Sequence, residues 1–365
     1  MVKILHIGHT NTPHVHDVIQ QIDEHTDFQN ALLSCQTEEF VPYELFKRIP
    51  VYVYNYLDFV DTPAMRSAVD NVLKAEKPDL IIGHSFSQVA VIMNYVLSVT
   101  NVPAMSFIWG SSDCVKSFKN AIFTRIYYNN LTVLKKINYL VCTNRWLNLQ
   151  AVNSYGITLD DFVEAGPPVN LAQYTNHIPD TSKPRLFLAK PRCEKYIYAC
   201  LPAAFKQFPK LEVHAFRVPK SIVLAKKVGV HNQVRFHNYP QTQENFANMI
   251  KYVNIVHTIT PDPGTGGTAV QATYAGCVNL MRQCQSSKWM IEDGINAVMC
   301  RLNVPDVMQK LFYSVQNMPK LCQRFRENSR HLIRFDRENT WKNLHKAILN
   351  CLEGKKGRIT PMVTV

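Results

Sequence analysis

The first half of the chain repeats one rhythm, in which a short apolar run stops at a glycine or a polar residue and a stretch with helical spacing follows. Residues 2–7 form the first such run, 8–12 read as a loop, and 16–22 begin a helix. Residues 79–83, 103–110 and 139–143 have the same strand-length apolar character, and 146–154 read as the helix after the last of them. Short apolar runs with helices between them predict a parallel sheet covered on both faces. The rhythm is interrupted at Gly166-Pro167-Pro168-Val169-Asn170 and again from Pro179 to Pro184, and two proline clusters so close together predict a linker. It restarts with strands at 185–189, 211–216, 234–236, 255–257 and 279–281, a helix at 195–208 and a helix start at 268–275. The expected fold class is therefore α/β, with two doubly wound, Rossmann-like domains over residues 1–175 and 176–335 facing across a cleft. A closing helix over 336–353 and a basic tail over 354–365 complete the chain. Ligands of open α/β sheets bind outside the carboxyl ends of the strands, which makes the cleft the expected site.

Composition narrows this picture. With 46% hydrophobic and 19% charged residues, the 365-residue chain has enough apolar material for two packed cores. No apolar run approaches the ~18 residues that span a bilayer. The N-terminus enters a strand without a leader-peptide pattern, so a cytoplasmic location is expected. Ten cysteines lie scattered with no C-x-x-C pair and no metal-ligand spacing, which predicts buried free thiols and no metal site. Charge is unevenly placed. Residues 1–175 hold 12 lysines and arginines against 16 acidic residues, while 176–365 hold 28 against 12. A basic second half suits a phosphate-bearing ligand or a polyanion, and equally a solvated basic face.

The strongest local feature is the run from Pro261 to Gly276, where Gly264, Gly266 and Gly267 lead through Thr268 into a helix. Such a loop lets backbone N–H groups approach phosphate oxygens, and the helix N-terminus adds a favourable dipole. The glycine spacing fits neither the Walker loop nor the dinucleotide fingerprint. A second feature, Lys190-Pro191-Arg192-Cys193-Glu194-Lys195, puts cations at the end of the second domain's first strand, where they can neutralise a diphosphate.

Together these segments resemble the donor domain of glycosyltransferase family 4, of GT-B fold. Leu188-Ala189-Lys190 with Glu194-Lys195 resembles that family's V-G-R…E-K element. Residues 291–297 resemble its I-x-D-G-x-N-G element, and 335–341 its closing F-S-W element before a helix that crosses back onto the first domain. In the first domain, Lys77-Pro78-Asp79-Leu80-Ile81-Ile82-Gly83-His84 is similar to K-P-D-V-I-H-A-H, and Trp109-Gly110-Ser111-Ser112-Asp113 to W-G-S-D. The resemblance departs from the family where two glutamates usually stand eight apart. Pro263 and Gln271 occupy those positions, with Asp262 one residue before the first.

The resemblance implies transfer of a sugar from a nucleotide-diphosphate sugar to a hydroxyl of a glycoconjugate or polysaccharide, with retained configuration and no cofactor beyond the donor. It implies catalytic roles for His84, Lys190 and Lys195. Donor binding falls to Gly8, Asp262, Gly264, Gly266, Gly267, Thr268 and Gln271. His14, His16 and Asp113 belong to the acceptor side, where Asp113 also reads as a helix cap. The basic, aromatic stretch 116–128 reads as an amphipathic packing helix, or as a contact with an anionic membrane surface or with nucleic acid. Two other functions stay open. The basic second half suits a phage-type enzyme that glycosylates hydroxymethylated bases in DNA, and the missing glutamates suit a catalytically degenerate GT-B binding protein.

Overall fold

The structure is a computed structural model that describes residues 1–10, 13–35, 44–54, 60–109, 121–142, 154–155, 162–165, 169–189, 194–238, 243–259, 267–282 and 291–355. The chain divides into two units, Met1–Pro168 with Arg337–Val365, and Val169–Asp336.

The first unit contains β1 (Lys3–Gly8), α1 (Pro13–His25), β2 (Gln29–Ser34), β3 (Val51–Val53), α2 (Pro63–Glu76), β4 (Leu80–Gly83), α3 (Phe86–Val99), β5 (Ala104–Ile108), α4 (Ala121–Lys136), β6 (Tyr139–Cys142) and β7 (Phe162–Glu164). All seven strands are parallel, in the order β3-β2-β1-β4-β5-β6-β7. The central residues of β1, β2, β4, β5 and β6 are buried on both faces, which explains the continuous apolar runs. On one face Leu5, Ile7 and Ile81 meet α2, α3 and α4. On the other, Ile4 and Ile82 meet α1 and the last helix of the chain. Thr62 starts α2 by accepting the N–H of Met65 at 3.1 Å, with proline in the first turn.

The second unit contains β8 (Arg185–Leu188), α5 (Glu194–Gln207), β9 (Glu212–Phe216), α6 (Pro219–Lys227), β10 (Val234–His237), α7 (Gln243–Tyr252), β11 (Ile255–His257), α8 (Gly267–Tyr274), β12 (Val278–Arg282), β13 (Val298–Cys300), α9 (Val304–Gln316) and α10 (Met318–Asn328). Its six strands are parallel in the order β10-β9-β8-β11-β12-β13. Leu186, Leu188 and Ile255 pack against α5, α6, α9 and α10, while Phe187 and Val256 pack against α7 and α8 on the opposite face.

The last helix, α11 (Arg337–Leu352), returns to the first unit and buries Trp341, Leu344 and Ile348 there. Trp341 lies within this helix, inside the expected 336–353 span. The units meet in sequence at 168/169, where the proline pattern puts the boundary at 175/176. Val169, Leu171 and Tyr174 are buried in the second core, which draws them into that unit. Asp336 fastens the entering strand to the leaving one, since its Oδ2 accepts the N–H groups of Leu171 at 2.6 Å and Ala172 at 3.1 Å. Edge strands β3, β7 and β13 have three residues each, and no strand is expected at them from the sequence. All seven cysteines among the described residues are free and buried. No helix among the described residues is long and apolar enough to cross a membrane.

Candidate functional site

Each sheet reverses its winding once, between β1 and β4 in the first unit and between β8 and β11 in the second. Helices α1 and α3 leave those first-unit strands onto opposite faces, and α5 and α8 do the same in the second. The loops diverge at such a point and open a crevice beyond the strand ends, where ligands of open α/β sheets bind. Of the residues expected from sequence, Gly8 and His84 stand at the first of these points, and Lys195, Gly267 and Thr268 stand at the helix starts that follow the second.

At the first, β1 ends in Gly8 and β4 is followed by His84. The His84 N–H donates to the carbonyl of Ile7 at 2.7 Å. A Cβ on Gly8 would come within 3.0 Å of the His84 Cβ and 3.1 Å of Val15 Cγ2, so any larger residue would require these neighbours to give by a few tenths of an ångström. His84 is fully buried. Its ring stacks on Phe107, with centroids 5.3 Å apart and planes 4° from parallel. Two residues that sequence reading did not single out hold it from behind. His84 Nε2 lies 3.0 Å from His6 Nδ1, and His6 Nε2 lies 3.1 Å from Asn30 Oδ1. Because the Asn30 oxygen can only accept, His6 carries its proton on Nε2, and its bare Nδ1 then accepts from the Nε2–H of His84. Burial holds the His6 ring neutral, pushing its pKa down to about 4 against a partial offset from Asn30. Ser85, next in the turn, has φ of 66°, a left-handed conformation unusual for a residue with a side chain. Such an outlier beside a strand end is where functional strain concentrates. The signal for His6 was present in the sequence as a polar residue inside an apolar strand.

The acceptor-side residues divide. His16 is half-buried on α1, with Nδ1 3.3 Å from Asp17 Oδ1 and its ring edge-on to Phe46. His14 belongs to the same helix, its side chain outside the described set, and Asp113 lies outside the described residues altogether.

At the second point, Lys195 occupies the first turn of α5, exposed, with its ammonium 4.9 Å from the centre of the Tyr196 ring. Lys190, Asp262, Gly264 and Gly266 fall outside the described residues. Gly267 opens α8, followed by half-buried Thr268. A buried network anchors that helix to the sheet. Thr258 Oγ1 donates to Asn279 Oδ1 at 2.6 Å, and Asn279 Nδ2 donates to Thr273 Oγ1 at 2.9 Å and to the Ala269 carbonyl at 3.2 Å. Gln271 is buried, and its Oε1 accepts the hydroxyl of Tyr174 at 2.8 Å. One of its two polar atoms is therefore committed within the unit, a constraint invisible in sequence because Tyr174 stands 97 residues away.

A cavity of about 710 Å³ in the first unit lies elsewhere, among helix residues such as Arg66, Asn94, Tyr95 and Arg125. It touches neither winding reversal, and strand-end chemistry outranks it as the functional candidate.

No family model and no curated protein matches the sequence. Solved structures do match in shape. A glycosyltransferase from Rickettsia africae aligns with a TM-score of 0.73 at 14% identity, over 97% of this chain and 99% of its own. Anabaena HepE in complex with UDP and glucose aligns with a TM-score of 0.74 at 12% identity, over 96% and 100%. S. aureus MnaA in its UDP complex aligns with a TM-score of 0.69 at 14% identity, over 99% and 100%. With its two parallel sheets, single winding reversals and returning C-terminal helix, the chain has the two-domain, Rossmann-like GT-B fold.

Proposed function

We propose that the protein is a nucleotide-sugar-dependent glycosyltransferase that moves a sugar from a nucleoside diphosphate to a hydroxyl of a glycoconjugate or polysaccharide, with retained configuration. The observation that carries this reading is the winding reversal of the second unit, where a glycine-rich segment runs into α8 on one strand and the neighbouring strand leads to the cationic start of α5. The whole-length likeness to HepE, whose solved structure holds UDP and glucose, supports it. Departure of a nucleoside diphosphate builds charge on its terminal phosphate. Fixed cations and backbone dipoles aimed at that charge lower the barrier. In this reading Lys190 and Lys195 supply the charge, and the α8 N-terminus with Thr268 supplies the dipoles. Gln271 holds the ribose through the polar atom that Tyr174 leaves available.

A second reading is favoured by the likeness to MnaA and to UDP-GlcNAc 2-epimerases from other bacteria, which makes this chain a nucleotide-sugar epimerase. Both readings require the same nucleotide site. The test is a thermal-shift panel of UDP, GDP and ADP with their sugars, followed by product analysis without acceptor. Release of free sugar and nucleoside diphosphate supports the transferase, and an epimerised nucleotide sugar supports the epimerase. No stabilisation by any member of the panel defeats both.

A further inference from the structure

His257 ends β11, the strand on one side of the second unit's winding reversal, and it is fully buried. Neither of its ring nitrogens has a hydrogen-bond partner in another residue among the described residues. A neutral imidazole always has one N–H to donate and one lone pair to fill. Burying both unmet is costly, and native folds pair most of their interior polar groups. Its neighbours make the exception more pointed, since Thr258 and Asn279 are joined into the network below α8.

The register shows what this ring stands beside. His257 pairs with Leu188, the last residue of β8, and with Leu280 in the middle of β12, so it lies at the strand ends that flank the reversal. Side chains alternate along a strand, and Ile255, two residues back, packs on the α5 face with Leu188 and Leu280. The imidazole therefore lies on the face from which α5 rises, the helix whose first turn carries Lys195. A leucine would complete the apolar surroundings of Leu188, Leu280 and Ile255 without any polar cost, and a histidine stands there instead.

We propose that His257 is a ligand contact, donating one ring N–H to a phosphoryl oxygen of the bound nucleoside diphosphate. The proposal rests on the nucleotide-binding reading above and adds a residue to it. Desolvation, which keeps the ring neutral and its pKa at about 3 despite a weak contact with its own carbonyl, also strengthens a hydrogen bond to a phosphate.

The experiment compares wild type, His257→Leu and His257→Gln. It measures the melting temperature without ligand and the affinity for UDP, GDP and ADP, with the matching nucleosides as controls. His257→Leu removes two unmet polar atoms, so it should melt higher by roughly 2 °C or more. It should also bind the preferred nucleoside diphosphate at least about tenfold more weakly. Affinity for the nucleoside alone should not change. His257→Gln, which keeps a donor, should stay within about threefold of wild type. In wild type, the ring ¹⁵N resonances of His257 should move on adding the nucleoside diphosphate and stay in place on adding the nucleoside. If wild type binds a nucleoside diphosphate and His257→Leu binds it equally well, or the ring resonances do not respond, His257 is structural and this inference alone fails. If wild type binds none of the three, the nucleotide reading itself fails and takes the inference with it.

Discussion

His6 and His84 share a hydrogen bond of 3.0 Å between two buried rings, one inside β1 and the other at the end of β4. Two imidazoles can be joined this way only if one donates and the other accepts, so a proton added to both would break the contact. With Asn30 accepting from His6, the donor is His84. Ring ¹⁵N spectra at neutral pH should show His6 protonated on Nε2 and His84 protonated on Nε2. Asn30→Asp puts a carboxylate beside His6 Nε2 and should raise the pKa of His6 from its depressed value of about 4. An unchanged titration in that variant would remove Asn30 from the chain.

Acid should destabilise the fold earlier than carboxylates alone would require. Burial lowers the pKa of His6 to about 4, His214 to about 4 and His257 to about 3, from a value of 6.5 in the open chain. For His214 the neighbouring His237 and Arg235 push in the same direction. The fold favours the neutral rings, so their contribution is fully present above pH 6.5 and declines as pH falls toward 4. Each such ring removes about 1.4 kcal/mol of stability per pH unit across that window. Urea midpoints should drop steeply between pH 6.5 and 4.5, and a flat profile there would contradict the buried neutral rings.

Gly8→Ala should be disruptive although alanine is the smallest change available. The added methyl meets His84 Cβ at 3.0 Å and Val15 Cγ2 at 3.1 Å, both in packed surroundings. A loss of about 1–3 kcal/mol is expected. Calorimetry measures the loss, and activity should fall with it because His84 is displaced. A wild-type melting temperature would show that the strand ends move apart freely.

Tyr174→Phe tests the lock on Gln271. The variant leaves the Gln271 oxygen without its donor at a cost of about 1–2 kcal/mol. If that lock orients the amide toward ribose, nucleoside diphosphate affinity should weaken severalfold beyond the change in stability. Equal affinity at reduced stability would make the contact purely structural.

Lys195→Ala addresses the chemistry directly. Removing one cation from a site that stabilises a leaving diphosphate costs about 2.7–4 kcal/mol of transition-state stabilisation, or about a hundredfold to a thousandfold in turnover. Because Lys195 is exposed, the melting temperature should stay put. Near-normal donor hydrolysis by this variant would remove Lys195 from the proposed machinery.

Asp336→Ala should loosen the point where the chain enters and leaves the second unit. Two backbone N–H groups lose a charged acceptor, and about 1–3 kcal/mol is at stake. Chemical denaturation of the full chain, compared with Asp336→Asn, should show the alanine variant as the weaker one.

Periodicity alone was enough to read the two doubly wound sheets. The runs at β1, β4, β5, β8, β9 and β11 are buried on both faces, and such strands cannot hide their apolar content. The same reading located Gly8, His84, Lys195 and Gly267 at strand ends and helix starts, since a glycine or charge that breaks an apolar run is a local signal. It could not supply partners. His6 meets His84 across 78 positions and Tyr174 meets Gln271 across 97, and His257 looks like one more polar residue until its strand is seen between Leu188 and Leu280. The unit boundary also depended on tertiary structure, because which core buries Val169, Leu171 and Tyr174 is decided by packing, whereas the prolines mark only where regular structure pauses. Local patterns fix which segments are strands and helices. Hydrogen bonds, burial and the order of strands in a sheet join residues far apart in sequence, and only the folded chain specifies those.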